Sequence, residues 1–476
     1  MSVDNRIRRR VRRRAFLIKR RAGRFMEKFL SGETMNYRQV IAILLPIFVD
    51  QAFIILLSLL NTAMISSSGM AAVSAVSMVD SVNIFLLNVF IAIATGGTVI
   101  VAQYKGAGNG PMVEKSAAQS VSAVALVSFA VGALMILFHT PVLSLLFGKA
   151  EPDVMNNARI YLIGSCVTYP FIGIVEAVCG ALRGVADTRP SLWLSMITNG
   201  SYVVLNLLFI TLLHGGIWGM VISLFLSRLL GMVCSLVYLI RFNHSLDVRL
   251  LDLIRFDFPT IRKILFIGLP FAAEQMFFNG GKILTQTFIV QLGTLSMAVN
   301  AIVSSVVLLF QMGANACNLG VVTVVGQCMG RRNIRDARKF IHAFLWLGSL
   351  SYVVTMAVLF PFLPWIVKLF SPPQEIVHTI YFTTIMTVAA SPFLWSTSFI
   401  IPSALRAAGD SRFTSIASML SMWLFRVVLG YILGIVLPFG VVGVWAAMVC
   451  EWGVRSLIFQ LRRRGDKWYA HRLVDD

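Results

Sequence analysis

Two acidic side chains, Asp50 and Glu274, lie in strongly apolar surroundings and in the same local motif. The motif reads LPIFVDQ at 45–51 and LPFAAEQ at 269–275, so each acid follows a proline by four residues and precedes a glutamine. A carboxylate beside a carbonyl freed by proline is suited to binding a proton or Na⁺. We therefore expect both acids to bind a coupling ion or a cationic ligand. Each motif also supplies a polar neighbour and a structural residue: Gln51, Gln275, Pro46 and Pro270.

The composition predicts a membrane protein. Of 476 residues, 57% are apolar and only 13% are charged, and the mean hydropathy is +0.80, whereas soluble domains contain about 25% charged residues. Backbone groups in lipid must be satisfied within the chain, so the apolar stretches are helices. We expect an all-α integral membrane protein with twelve transmembrane helices, centred near residues 52, 90, 127, 171, 203, 228, 277, 312, 351, 390, 425 and 450.

The chain contains an internal repeat. VAQYKGAGN returns as VGQCMGRRN with Gln103 and Gln327 in register, and ALRGVADTR returns as ALRAAGDSR with Arg183 and Arg406 in register. Two six-span halves that start on the same side form parallel repeats about an axis along the membrane normal, with a binding site between them. The predicted organisation is a basic arm at 1–37, an N-lobe at 38–241, a connector at 242–263, a C-lobe at 264–461 and a tail at 462–476.

The repeated arginine motifs lie at short turns after the fourth and tenth spans. A cation near one helix C-terminus and an acid near the next N-terminus complement the helix dipoles. We expect these residues to be structural, with a gating role as the alternative: Arg183, Asp187, Arg406 and Asp410.

Other charged side chains interrupt the predicted spans. A charge near the bilayer centre costs about 2.5–3.5 kcal/mol on insertion scales, so it usually faces a cavity or a partner. Asp80, Lys282 and Arg426 are candidate ion-coupling or substrate-binding residues. The alternatives are the outer end of a helix for Asp80 and an internal ion pair for Arg426. We expect structural or interfacial positions for the remaining three: Glu176, Arg228 and Glu451.

The distribution of basic residues predicts the orientation. The net charge is +20, and Lys and Arg crowd the N-terminal arm, the connector, the tail and every second loop. By the positive-inside rule, both termini are cytoplasmic in a multi-pass plasma (inner) membrane protein. The arm has no interleaved aromatic residues, so we expect anionic lipid headgroups at this face and no nucleic acid.

Catalysis and metal binding are not expected. The six cysteines form no CxxC pair, the six histidines are scattered, and no nucleophile lies beside a base in sequence. We therefore predict no catalytic residues, no enzyme activity, no disulfide, no metal and no cofactor beyond H⁺ or Na⁺ as coupling ion. A cleft between two lobes of one chain needs no second copy, so we expect a monomer.

The duplicated unit, with LP near the start of spans 1 and 7, QYKGAGN after span 2, and LRGVADTR and LRAAGDSR after spans 4 and 10, resembles the multidrug and toxic compound extrusion (MATE) transporters. The resemblance covers roughly 38–462. It implies a V-shaped, two-lobed transporter that exports organic cations in exchange for H⁺ or Na⁺ by alternating access.

The chain departs from this family at its usual acidic sites. The resemblance would place N-lobe aspartates at Asn61 and Asn206, and sodium-site acids of the C-lobe at Phe278 and Trp395. Eleven residues separate Asp50 from Asn61, so an ideal helix places them within about 20° of one face and about 16 Å apart. We therefore expect Asp50 to line the same cavity at another depth, with Gln51 and Asn61 as polar neighbours, and we keep Asn206 as a candidate ion-coupling or substrate-binding residue.

Two alternatives to drug export remain open. A flippase for lipid-linked precursors would share the two-lobed design but would need a basic cavity for its anionic headgroup, and in-span acids outnumber in-span cations by five to three. A non-transporting membrane scaffold would not need acids at matching depths in two repeats.

Overall fold

The computed structural model describes residues 26–65, 70–147, 152–243, 245–470 and 473, with side chains described except at 58–65, 70–74, 146 and 147. All the regular elements in these residues are helices. The N-terminal arm up to residue 25 and the side chain of Asn61 are therefore outside the described part of the chain, although the backbone of Asn61 is helical.

The first half of the chain forms the N-lobe. Its long helices are α1 (Tyr37–Ile65), α2 (Met70–Ala107), α3 (Gly110–Leu137), α4 (Pro152–Val167), α5 (Tyr169–Gly184), α6 (Thr188–Asn206) and α7 (Gly216–Val237). Wider π-helical turns continue α6 through Leu207–Leu212 and α7 through Tyr238–Phe242. A short helix, His139–Phe147, follows α3.

The second half forms the C-lobe with the same order of helices. They are α8 (Phe258–Gln291), α9 (Thr294–Gly330), α10 (Ile334–Leu359), α11 (Gln374–Ala407), α12 (Ser411–Ser421) and α13 (Gly440–Arg464). A π-helical segment and further turns continue α12 to Val436. Even the short helix after α3 has its counterpart, Leu363–Leu369 after α10. Another short helix, Leu250–Ile254, lies in the connector.

The described helices account for twelve spans, as the sequence predicts. Ten are long and apolar enough to cross a membrane, and α4 with α5, which meet at a 45° bend, provide another. The twelfth is α8, which has 34 residues and whose apolar stretches are interrupted by Arg262, Lys263, Glu274 and Lys282. It corresponds to α1 in the repeat, and six spans therefore belong to each lobe.

Repeated polar residues set the helix ends. The Asn109 side chain accepts a hydrogen bond from the Met112 backbone N–H at 3.2 Å, and Asn333 accepts from the Asp336 N–H at 3.0 Å. Each asparagine satisfies one of the backbone donors left without an intrahelical partner at the start of α3 or α10. The capping signal therefore recurs together with the sequence motif.

The two lobes meet at the end of the bundle that contains the arginine-rich turns, which we call the basic end. Along α2, the residues from Val99 to Ala102 are almost completely buried, whereas Ile84, nearer the other end, is 56% exposed. Gly96 and Gly268 lie at this interface, each too close to backbone of the opposite lobe for a Cβ to fit without movement. The lobes thus close at the basic end and diverge from it, which produces the V shape.

Two glutamines join the lobes reciprocally at the basic end. Gln103 of the N-lobe donates to the Ala407 carbonyl at 2.7 Å, and Gln327 of the C-lobe donates to the Gly184 carbonyl at 3.0 Å. Beside them, Gly106 and Gly330 lie against the opposite glutamine's backbone. We call these four residues the glutamine latch. Its two halves are related by the sequence repeat, so the contact is self-complementary.

Candidate functional site

The prolines of the repeated acidic motifs do not interrupt α1 or α8. Pro46 cannot donate to a backbone carbonyl, and the carbonyls one turn earlier, of Ala42 and Ile43, accept hydrogen bonds from the Thr188 hydroxyl at 3.2 and 3.1 Å. In the C-lobe, the Ser411 hydroxyl donates to the Ile267 carbonyl at 2.8 Å. These carbonyls were expected to serve an ion beside the acids; instead, hydroxyls from the neighbouring helices bond to them.

Asp50 lies on the wall of a cavity formed mainly by the N-lobe, with Leu319 of the C-lobe also on its wall; we call it the N-lobe cavity. The cavity has a volume of about 500 Å³, and Gln51, Glu176, Arg183 and Arg228 also line it. Asp50 is only 8% exposed, and its Oδ1 atom is buried without a hydrogen-bond partner. The Ser195 hydroxyl and the Arg183 guanidinium lie near the same carboxylate and interact with it electrostatically. Asp50 thus has unused capacity to bind a cation or a proton.

Glu176 and Arg183 lie two turns apart on one face of α5, and both line the same cavity. Their closest N–O distance is 4.0 Å, and both side chains are partly accessible. The Arg183 carbonyl also accepts a hydrogen bond at 2.8 Å from Thr323 of the C-lobe. Arg183 therefore connects the cavity of one lobe to the contact between the lobes.

Asp80 belongs to a second polar cluster in the N-lobe. Its Oδ1 accepts hydrogen bonds from Asn83 at 3.2 Å and from the Tyr161 hydroxyl at 3.1 Å. Arg228 donates to the Thr168 hydroxyl at 2.7 Å, close to the bend between α4 and α5. Asp80 is not part of the cavity wall that contains Asp50. Asn206 is fully buried in α6 and also lies away from that wall.

Glu274 is surrounded by basic side chains, unlike its repeat counterpart Asp50. One carboxylate oxygen accepts from Arg406 at 2.8 Å and from the Ser415 hydroxyl at 3.1 Å. The other oxygen lies 3.9 Å from Arg455. Glu274 and Arg406 are 4% and 5% exposed, so the pair is enclosed. Neither Glu274 nor Gln275 is part of the wall of the C-lobe cavity.

A chain of charges continues from Glu274 toward that cavity. Arg455 also pairs with Glu451 at 3.2 Å, and Glu451 lies 4.0 Å from Arg426. The position that corresponds to Arg455 in the N-lobe is Gly231. Asp50 therefore has one arginine near its carboxylate, whereas Glu274 has two. The two acids consequently differ in how strongly their negative charge is compensated.

Sequence reasoning did not identify Arg455 as part of the site, and it treated Arg406 as a turn residue. One signal was present for each. Arg455 follows Glu451 by four residues, the spacing of an ion pair on one helix face. Arg183 and Arg406 recur at almost the same offset as Asp50 and Glu274, which is compatible with a repeated pairing between the two motifs.

The turn acids Asp187 and Asp410 occupy equivalent positions immediately before α6 and α12. Asp410 pairs with Arg462 at 2.7 Å, whereas Asp187 accepts a long hydrogen bond of 3.5 Å from Ser245. Partial burial raises the pKa of Asp187, and the Ser245 and Arg189 side chains oppose this shift. The two repeats thus use the same acid with different partners.

The cavity of the C-lobe has a volume of about 430 Å³ and differs in character. Lys282 and Arg426 lie on its wall, as do Phe278 and Trp395, the positions where the family resemblance would place acids. Cavities of this size hold small organic molecules when aromatic walls combine with a few polar groups. Each lobe thus contains a cavity large enough for such a ligand.

Two repeated six-helix lobes, with a cavity in each and a closed contact at one end, define a membrane transporter of the two-lobed type. The MatE family model matches residues 46–209 and 270–432, which together cover most of both lobes. The chain belongs to this family, the MATE multidrug efflux transporters.

Relatives and solved structures agree over nearly the full length of the chain. An uncharacterized transporter, YisQ, of Bacillus subtilis is 24% identical over 89% of this chain and 93% of its own. A probable multidrug resistance protein, NorM, of Thermotoga maritima is 24% identical over 90% and 93%. An outward-facing multidrug resistance MATE transporter superimposes with a TM-score of 0.81, 17% identity and coverage of 90% and 94%. The similarity to the solved structure establishes the two-lobed fold.

Proposed function

We propose that the protein exports drug-like organic compounds, organic cations among them, in exchange for H⁺ or Na⁺ by alternating access between the lobes. Membership of a multidrug efflux family supports the transport class, and the names of the relatives support multidrug cargo. Closure of the lobes at one end, with surfaces diverging toward the other, is the geometry of one of the two states that alternating access requires.

The orientation belongs to the same proposal. The basic end faces the cytoplasm of a plasma-membrane protein, with both termini on that side and anionic headgroups against the arginine-rich turns. The described conformation is then closed to the cytoplasm and outward-facing. A single chain contains both lobes, so the proposed unit is a monomer that needs no cofactor other than the coupling ion.

Asp50 is the proposed coupling residue, and the observation that carries the proposal is that this residue lines the N-lobe cavity while its buried Oδ1 lacks a hydrogen-bond partner. When the Asp50 carboxylate binds a proton or Na⁺, only one nearby arginine loses its counter-charge. Glu274 has Arg406 and Arg455 around it, so an ion there would compete with two fixed cations. The N-lobe motif is therefore the better coupling site.

The balance of charges within the helices does not favour cationic cargo. Besides Arg228, Lys282 and Arg426, three further arginines lie within the helices as buried or partly buried charges: Arg183, Arg406 and Arg455. These six basic residues therefore outnumber the five acidic residues that interrupt the predicted spans: Asp50, Asp80, Glu176, Glu274 and Glu451. We retain organic cations as a proposed cargo because Asp50 and Glu176 line the N-lobe cavity.

The experiment is efflux of a fluorescent organic cation from proteoliposomes, with a pH gradient and a Na⁺ gradient imposed separately. Asp50→Asn removes the charge with little change in shape, and a charge-assisted interaction worth about 1.5–3 kcal/mol corresponds to a loss of about tenfold or more. We expect the active gradient to lose its effect in the variant. Asp153→Asn, at an exposed acid before the bend, is the matched control.

Two results would count against the proposal. Normal gradient-driven efflux by Asp50→Asn would remove Asp50 from the coupling step. Absence of flux with either gradient, for several organic cations and anions and with folded protein in the vesicles, would argue against secondary transport altogether.

A further inference from the structure

The C-lobe cavity is positively charged. Lys282 of α8 and Arg426 of the extended α12 are on its wall, and none of the described residues that line it is Asp or Glu. The N-lobe cavity, in contrast, has two acids, Asp50 and Glu176, against two arginines. The two lobes therefore present cavities of different net charge, about +2 and about zero, to the cleft between them.

Lys282 forms no salt bridge with an acid in the described part of the chain. No described carboxylate lies within 4.0 Å of its ammonium group, although Glu451 attracts it from farther away, and its nearest aromatic contact is the Phe278 ring at 5.0 Å. Arg426 approaches the same ring at 5.6 Å and lies at 4.0 Å from Glu451. An unpaired cation in a low-dielectric cavity is unfavourable unless a counter-charge joins it. An anion in this cavity would supply that counter-charge.

A second, independent feature of the wall also favours an anion. Trp452 is 3% exposed, and its indole N–H is buried without an acceptor. This group can only donate a hydrogen bond, so the partner it lacks is an acceptor atom. Trp445 also lies on the wall, but its indole N–H donates a hydrogen bond to Asn300 at 3.1 Å. The indole N–H of Trp452 therefore differs from that of Trp445 in having no acceptor.

The remaining wall is aromatic and polar without charge. Trp395 stacks on Phe399 with ring centroids 4.6 Å apart, and Phe399 meets Trp452 edge-on at 6.5 Å. Asn300 donates to Gln286 at 2.9 Å. Flat apolar surfaces of this kind bury the body of an aromatic ligand, while the cations and the free donor bind its charged end.

We propose that the C-lobe cavity binds the anionic group of an aromatic compound, a carboxylate, sulfonate or phosphate, between Lys282 and Arg426. This inference deepens the proposed export function, because it assigns the anionic part of the cargo to the C-lobe and leaves the coupling ion at Asp50 in the N-lobe. A compound with both charges would place its cationic group toward the acids of the N-lobe cavity.

The test is calorimetric titration of the purified full-length protein in detergent with three probes of one shape: naphthalene-1-sulfonate, 1-naphthylmethylammonium and 1-naphthalenemethanol. We expect the sulfonate to bind most tightly. Lys282→Gln should weaken sulfonate binding about tenfold or more, while the other two probes change little. Lys282→Arg should retain binding because it keeps the charge. Lys368→Gln, at an exposed lysine outside the cavity, is the matched control.

Trp452→Phe tests the free donor separately from the charge. Loss of one hydrogen bond should weaken sulfonate binding severalfold, while the alcohol is affected less. Thermal unfolding of each variant shows whether its fold is intact. An equal loss for all three probes in Lys282→Gln, or sulfonate binding unchanged by that variant, would overturn the anion site.

Phosphatidylglycerol added to the mixed micelles distinguishes a lipid headgroup from a soluble anion. Competitive displacement of the sulfonate by the lipid, dependent on Lys282, would assign the site to a phosphate headgroup, as a lipid flippase requires; no displacement would assign it to soluble anions. Both results support an anion site. Flux measurements separate this inference from the proposed function: gradient-driven efflux that persists without any anion preference contradicts the site alone.

Discussion

Glu274→Ala is expected to destabilise the protein by about 3–5 kcal/mol, the usual cost of leaving a buried charge without its partner. Arg406, at 2.8 Å from Glu274, would lose its only described carboxylate partner, and Ser415 would lose an acceptor. Arg455 would remain paired with Glu451. The loss should appear as a lower midpoint in thermal unfolding of the detergent-solubilised protein.

A double variant separates the pair from the fold around it. Glu274→Leu with Arg406→Leu removes both charges, and replacement of a buried ion pair by apolar residues is often neutral or stabilising. We expect the double variant to be more stable than Glu274→Ala. Glu375→Gln, at an exposed acid at the start of α11, should unfold like the unmodified protein. A Glu274→Ala variant as stable as this control would show that the buried pair contributes nothing measurable.

Gly330→Ala is expected to prevent the basic end from closing. A Cβ at this position would lie 1.9 Å from the Gln103 carbonyl oxygen, and one at Gly106 would lie 2.1 Å from the Gln327 carbonyl oxygen. The obstructing atoms are backbone, so no side chain can move aside. Each lobe remains intact, and the substitution therefore acts on the equilibrium between the states of the transporter rather than on folding.

The measurement is the distance between spin labels at Lys105 and Arg332, two exposed positions across the basic end. The exposed thiol of Cys450 and the partly exposed thiol of Cys234 are first replaced by serine. Gly330→Ala should lengthen the distance and reduce gradient-driven efflux about tenfold or more, which corresponds to a shift of about 1.4 kcal/mol. Gly110→Ala is the matched control, because a Cβ there meets nothing within 4 Å. Equal distances and equal efflux in the two variants would contradict the latch.

Parts of this arrangement follow from the sequence alone. The apolar stretches determine that the chain spans a membrane, because lipid forces helices on any backbone that enters it. The repeat determines that six helices recur in each lobe. It also pairs Gln103 with Gln327 and Gly106 with Gly330, so both halves of the latch are visible as matched motifs, although their contact with each other is not.

Only the tertiary structure decided which charges meet. Glu274 and Arg406 are 132 residues apart, and the rotation of α8 against α11 determines whether their side chains face each other. The same packing leaves Lys282 without a salt bridge to any described carboxylate and Asp50 with an unpartnered oxygen. Spacing along one helix predicts a shared face, but the partner of that face depends on how separate helices pack. The charges of the two cavities therefore follow from the assembled lobes.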